Sequence, residues 1–471
     1  MINEAKQDSF TESFIRAVEI TRSERTEKLF SYTTYVEDIS PIQFYTNSYR
    51  IKTSYRHYWS NPQGLTLVGS GSAWLFNYAG DSNRFQFIKS KWESFVRDHL
   101  ITRNVPARGI LLMGGFCFDA TESTRGEWQH FPEASFVLPR FLLTIDHEGC
   151  WLTLNDIISP DEENVYQRIM DLREQWEVLL RRQHSSSHAI QYTQQLKVHD
   201  MQGEQWKDAV AHAIDDMAHG SLQKIVLSRS QVAQLSSDVD ISAVIHRLTE
   251  QQPNSYVFSI ERQGDVFIGA TPERLVKREG QAFYADALAG TTGRGETSYE
   301  DEQLGQILLS DKKNLQEHTY VVRMLQDTFQ KWCESIEVDT RPTLLKVKDV
   351  QHLYTSVKGV AKGTAHLLDV VEQLHPTPAM GGTPRDLAMK RIAELEPHDR
   401  GWYSAPIGWM DSSGNGDFSV AIRSGLICGH RAHLYAGCGI VSDSDPDLEY
   451  TETQMKFRTM LHALRGDMSN D

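Results

Sequence analysis

The chain has 471 residues, enough for about three domains at roughly 150 residues each or for one large α+β body. Apolar residues make up 40%, charged residues 24% and aromatics 10%, with 31 glycines and 15 prolines, which excludes disorder, collagen and small disulfide scaffolds. The 63 acidic residues outnumber the 48 lysines and arginines, for a formal charge of −15 that repels phosphate backbones. The longest basic clusters, Arg181-Arg182 and Lys312-Lys313, carry no aromatic interleaving, so no nucleic-acid partner is expected. Cys117, Cys150, Cys333, Cys428 and Cys438 are odd in number, scattered and without CxxC spacing. They are read as small buried hydrophobes in a reducing compartment. The start MINEAKQDSF lacks the basic and apolar regions of a signal peptide, and the best apolar run, residues 109–118, has strand length. A cytoplasmic protein with no membrane partner is the expectation.

In the first part, residues 65–78 are rich in β-formers and glycine. Phe85, Ile88, Trp92 and Phe95 recur at helical spacing and predict an amphipathic helix over residues 82–100. Strands are predicted at 109–118 and 134–146, then a charged helix over 162–182 that runs into the Ser/His-rich stretch 183–189. This stretch suggests a boundary near residue 190, between an N-terminal part (1–190) and a C-terminal part (191–471). Beyond it, Trp206, Val210, Ile214 and Met217 form a helical stripe, and KIVLSRSQVA from Lys224 reads as a strand. Hairpins are predicted at the Gln263-Gly264 and Glu279-Gly280 turns, strands at 401–410, 418–427 and 433–441, and a last helix at 446–465 with proline in its first turn. Clustered hairpins with covering helices indicate an α+β body built on large antiparallel sheets.

Several constellations have chemical potential. Glu449, Glu452 and Lys456 stand at i, i+3 and i+7 of the last predicted helix and so share one face. For an arbitrary helix such a face is most often solvated charge. Glu317 lies in another predicted helix, NLQEHTYVVRML. Carboxylates from two helices, without cysteine or paired histidine, suit a hard oxygen-seeking ion such as Mg²⁺. ALAGTTGRG (residues 287–295) lacks the Gly-Lys-Ser/Thr ending of a phosphate loop, although its backbone amides could hold a carboxylate. PAMGGTP (378–384) and AGCGIV (436–441) read as compact turns.

Nine segments then occur in a fixed order: KIVLSR at Lys224, GATPERL at Gly269, AGTTGR at Ala289, QEH at Gln316, HPTPAMGGTP at His375, GWYSAPIGW at Gly401, FSVAIRSG at Phe418, AGCGIV at Ala436 and EYTETQMK at Glu449. Together they resemble the chorismate-utilising enzymes, the family of isochorismate, salicylate, anthranilate and aminodeoxychorismate synthases. The likeness spans about residues 200–465 and continues more loosely through GGFCFD at Gly114.

The resemblance implies a single large body in which two antiparallel sheets pack together with helices outside, the two sequence halves being parts of one unit. It implies chorismate as substrate. Ala289 stands where aminodeoxychorismate synthases carry a nucleophilic lysine, and Lys224 is the pattern of the water-activating isochorismate and salicylate synthases. No glutamine amidotransferase subunit is therefore expected. The implied mechanism has unprotonated Lys224 activating water for attack at C2 and protonated Glu273 donating to the departing C4 hydroxyl. Burial would raise Glu273 as required. Mg²⁺ would be held by Glu317 and Glu452, with Glu449 acting through water. Arg423 and Lys456 would take the substrate carboxylates, and Gly290, Thr291, Ala379, Gly437 and His352 would complete the binding site. The expected function is a Mg²⁺-dependent isochorismate synthase, and the chain length with its long N-terminal half resembles the menaquinone-pathway enzymes rather than those of siderophore synthesis. Salicylate synthase is the competing reading, and a silent chorismate-binding regulator ranks last.

Overall fold

The computed structural model describes residues 4–37, 39–80, 83–100, 108–120, 126–182, 195–347 and 350–466, with side chains from Ser9 onward. The boundary suggested near residue 190 and the 183–189 stretch lie outside the described residues.

Two antiparallel sheets form the body. The first runs Lys28–Tyr35, Gly149–Ile158, Ala134–Asp146, Thr66–Tyr78, Tyr55–Ser60, Tyr256–Arg262, Asp265–Thr271, Ser424–Cys428, Arg431–Ile440 and Lys224–Leu235. The second continues from Ala134–Asp146 through Leu111–Phe116, Pro406–Asp411, Gly416–Val420, Arg274–Glu279, Ala282–Gly293 and Val350–Ala361. Strands from before and after residue 190 join in both, since Tyr55–Ser60 pairs with Tyr256–Arg262 and Leu111–Phe116 with Pro406–Asp411. The long strands Thr66–Tyr78 and Ala134–Asp146 join the sheets and bend between them, with a register shift between Ser72 and Trp74. Gly69 permits the bend, because a Cβ there would lie 2.9 Å from Pro139 Cγ.

The inner faces of the two sheets meet in an aromatic core containing Trp59, Phe258, Phe267, Trp402, Trp409 and Leu426. Alternate residues of the same strands point outward, as Val266 and Ile268 do on either side of Phe267, and meet the helices. Strands buried on both faces explain the near-continuous apolar runs, such as LLMGGF over Leu111–Phe116. The predicted stripe Phe85, Ile88, Trp92 and Phe95 is the buried face of helix Arg84–His99. The last helix, Pro446–Arg465, starts where Asp445 accepts from the Asp447 and Leu448 amides and proline fills the first turn. It buries Phe457, Met460, Ala463 and Leu464 against the first sheet. Glu449, Glu452 and Lys456 lie on another face.

One predicted strand divides. Residues 418–427 form Gly416–Val420 in the second sheet and Ser424–Cys428 in the first, and the chain crosses over at residues 421–423. Arg423 has φ of +52°, a left-handed conformation costly to a side-chain-bearing residue. A second crossing lies beside it. Asp265–Thr271 belongs to the first sheet and Arg274–Glu279 to the second, with Pro272 and Glu273 between them. The crossings are bonded together: Ala270 N donates to Arg423 O (3.2 Å) and Val420 N to Glu273 O (3.0 Å).

Candidate functional site

A cavity of about 550 Å³ opens at these crossings, a size suited to a small-molecule ligand. All twelve residues singled out from the sequence line it: Lys224, Glu273, Gly290, Thr291, Glu317, His352, Ala379, Arg423, Gly437, Glu449, Glu452 and Lys456. They come from both sheets, two helices and the 376–381 loop.

Lys224 begins its strand and is bonded through Nζ to Glu317 Oε1, the latter carried by helix Lys312–Trp332. Asp311 caps that helix by accepting from Asn314 N at 2.8 Å. Gly439, on the neighbouring strand, leaves space for the lysine: a Cβ there would lie 2.9 Å from Lys224 Cε and 3.3 Å from Nζ. Glu273 is 8% exposed. Burial pushes its carboxyl up from 4.5 to about 7, against the opposing pull of the Lys224 and Lys456 charges. It therefore carries a proton for much of the time near neutral pH.

On the last helix, Lys456 Nζ lies 2.7 Å from Glu452 Oε1 and donates to Gly437 O at 2.7 Å. Burial alone would raise Glu452, but Lys456, then Arg423 and Lys224, outweigh it and hold this carboxyl below its ordinary value. Glu449 behaves oppositely, raised chiefly by burial and further by Glu452, while accepting from Ser444 Oγ at 2.8 Å. His352 is buried, with Nδ1 2.8 Å from Thr291 Oγ1 and no hydrogen-bond partner for Nε2 among the described residues. Burial, then Arg423 and Lys456, pushes its imidazole down to about 3, so the ring is neutral.

Two glycine segments, AGCGIV read as a turn and ALAGTTGRG weighed as a phosphate loop, are mostly strand instead. AGCGIV lies mostly in strand Arg431–Ile440, paired with Lys224–Leu235. ALAGTTG lies in strand Ala282–Gly293, with a bulge between Leu288 and Thr291 and Gly290 at φ +80°. His318 fixes this bulge, with Nδ1 3.2 Å from Ala289 O and Nε2 2.7 Å from Thr355 Oγ1. The sequence reading missed the further lining residues Asn314, Arg400, Tyr403, Ser404, Met455 and Arg458. Tyr403 and Ser404 stand within the GWYSAPIGW segment, which is the signal that could have found them.

Among the described residues, no group of three or more His, Cys, Asp or Glu side chains is arranged to hold a metal ion. The carboxylates nearest that role, Glu317 and Glu452, are neutralised by Lys224 and Lys456. Mg²⁺ binds through one or two protein carboxylates with waters and ligand oxygens, so this all-oxygen pair fits such an ion without a third residue. No helix of the described residues is long and apolar enough to cross a membrane.

The family model "Chorismate binding enzyme" matches residues 13–465. The chain is 38% identical over 470 residues to isochorismate synthase MenF of Bacillus subtilis, covering 98% of both chains. It is 35% identical over 414 residues to the salicylate biosynthesis isochorismate synthase of Pseudomonas aeruginosa, covering 86% of this chain and 84% of that one. Among solved structures, a 2,3-dihydroxybenzoate-specific isochorismate synthase, DhbC, of Bacillus anthracis superposes with a TM-score of 0.70 at 25% identity, covering 89% of this chain and 99% of the other.

Proposed function

The chain belongs to the chorismate-utilising enzymes, within their isochorismate synthase group, and from that premise we propose that it converts chorismate to isochorismate by adding water at C2 and releasing the C4 hydroxyl. The observation carrying this reading is the pairing of Lys224 and Glu273 on one cavity. A base and an acid are needed at the same time, and Glu273 holds its proton near neutral pH because it is buried.

Lys224, once released from Glu317, takes a proton from the attacking water at Nζ. Glu273 gives its proton to the C4 oxygen as that bond breaks, so a second water leaves and no net atoms are gained. Ala289 offers no side-chain nucleophile, so the covalent lysine route is absent, and a base at Lys224 suits water as the attacking group. Arg423 and Lys456 bind the substrate carboxylates, the guanidinium through its fork. Backbone at Gly290, Ala379 and Gly437 and the hydroxyl of Thr291 shape the cradle, and neutral His352 positions the ring. Glu317 and Glu452 would hold Mg²⁺, with Glu449 reached through water, and the ion would neutralise a substrate carboxylate. The menaquinone branch is proposed on chain length alone, and a deletion strain would lose menaquinone rather than a catecholate siderophore.

The direct test is purified protein with chorismate and Mg²⁺, products being resolved by chromatography. Isochorismate is the expected end product. Salicylate accumulating without a second enzyme would replace the reading by salicylate synthase. Chorismate binding with no turnover would replace it by a silent regulator.

Gly439→Ala provides a finer check. The added methyl must displace the end of the Lys224 side chain, and misplacement by about 1 Å costs on the order of 100-fold in rate. We expect kcat to fall by roughly tenfold to 100-fold with an unchanged thermal melt; wild-type kcat would show that the base tolerates the shift.

A further inference from the structure

We infer that Glu396 and Arg400 are positioning residues that stand in for a missing strand along the edge of the Lys224 strand, and thereby fix the amine against the cavity. This rests on the proposed role of Lys224. One edge of Lys224–Leu235 is fully paired with Arg431–Ile440. The other is paired at its start by Gly382 and Thr383 and at its end by Leu196–Asp200, leaving residues 226–230 between them. Unpaired buried backbone groups there would be costly.

Val226 N reaches Gly381 O at 2.9 Å. Two further groups on this edge, Val226 O and Ser228 N, meet side chains. Arg400 Nη2 donates to Val226 O at 2.8 Å, and Ser228 N donates to Glu396 Oε1 at 2.6 Å. Glu396 also accepts from Ser228 Oγ at 2.9 Å and from Arg400 Nε at 2.8 Å. Arg400 Nη1 donates to Met380 O at 3.0 Å and Ser404 Oγ at 3.2 Å, and its guanidinium carbon lies 4.2 Å from the Phe118 ring centroid.

All five guanidinium N–H directions are thus engaged, counting the second Glu396 bond from Nη2. Arg400 is 2% exposed, so water does not compete for these bonds. One side chain ties the Lys224 strand to the loop carrying Ala379 and Met380. A lysine at this position would keep the charge but lose the fork, and no single ammonium can meet Val226 O, Met380 O and both Glu396 oxygens in one plane.

The test compares Arg400→Lys with the charge-free double variant Glu396→Gln/Arg400→Met, because Arg400→Met alone strands a buried carboxylate. Backbone hydrogen exchange is read at residues 224–228 against the strand Tyr256–Arg262, together with kcat and KM for chorismate. Exchange at 224–228 should rise at least about tenfold in both variants with the reference strand unchanged, and kcat should fall at least about tenfold with a smaller change in KM. Unchanged exchange at 224–228 overturns the clamp whatever the reaction. Raised exchange with wild-type kcat overturns its role in positioning Lys224. Wild-type protein that fails to turn over chorismate would refute the proposed function alone, and the exchange measurement would still decide the clamp.

Discussion

Lys224→Ala is expected to lower kcat by about 100-fold to 10,000-fold, the range that a positioned general base supplies, while far-UV circular dichroism remains that of the wild type. The fold should survive because the lysine starts its strand and its backbone pairing with Thr383 does not involve the side chain. Loss of the amine also removes a positive charge that pulls Glu273 down, so the Glu273 carboxyl should titrate above about 7 in the variant. A carboxyl-stretch titration would read that shift separately from turnover. Turnover within threefold of wild type would remove Lys224 from the mechanism. A normal rate loss without any Glu273 shift would mean that the two groups do not sense each other in solution.

The last helix illustrates what local chemistry makes legible. Its start at Pro446 follows from Asp445 accepting two amides and from proline's fixed φ, and both signals lie within four residues of sequence. The stripe of Phe85, Ile88, Trp92 and Phe95 was similarly readable, since one face of a helix must be apolar to pack. Residues 418–427 failed for the opposite reason. Their β-rich composition gives no sign that the chain leaves one sheet and enters another at Arg423, because that turn is held by partners outside it in sequence, at Ala270, Glu273 and Ser404. The glycines of ALAGTTGRG suggest a loop because a bulge and a loop make the same demand for positive φ, which Gly290 meets inside a strand. Cavity-lining residues with a motif around them are legible in the sequence, whereas Glu396 and Arg400 follow a helix in a charged stretch, EPHDR, that looks solvated. Only the tertiary fold buries it.

The placement of charge has a further consequence. A protein of net charge −15 that binds a dianion needs a local reversal of field, and the cavity brings Lys224, Arg423 and Lys456 to one place. Two of these are engaged with Glu317 and Glu452. A cation held by the carboxylates would leave the lysines for other partners. The acidic residues and the basic residues of the site are therefore a balanced set, and removal of one member changes what its neighbours do.

Glu273→Gln should separate catalysis from stability. Glutamine keeps the shape of the protonated acid but cannot donate a proton to the C4 oxygen, so kcat is expected to fall by about 100-fold or more. In the wild type, kcat/KM should decline as pH rises through about 7, where Glu273 loses its proton, and this limb should be absent from the residual activity of the variant. The stability effect has the opposite sign. Burial raises the folded carboxyl from 4.5 to about 7, so between these pH values the native state binds more proton than the unfolded state and stability falls with increasing pH. The full cost above pH 7 is on the order of 3 kcal/mol. Glutamine carries no charge to bury and escapes it. Denaturant melts should therefore find the variant about as stable as wild type near pH 4.5 and more stable by roughly 3 kcal/mol at pH 8. A variant no more stable than wild type at pH 8 would mean that Glu273 is ionised at little cost in the native cavity, and the acid role would fail with it.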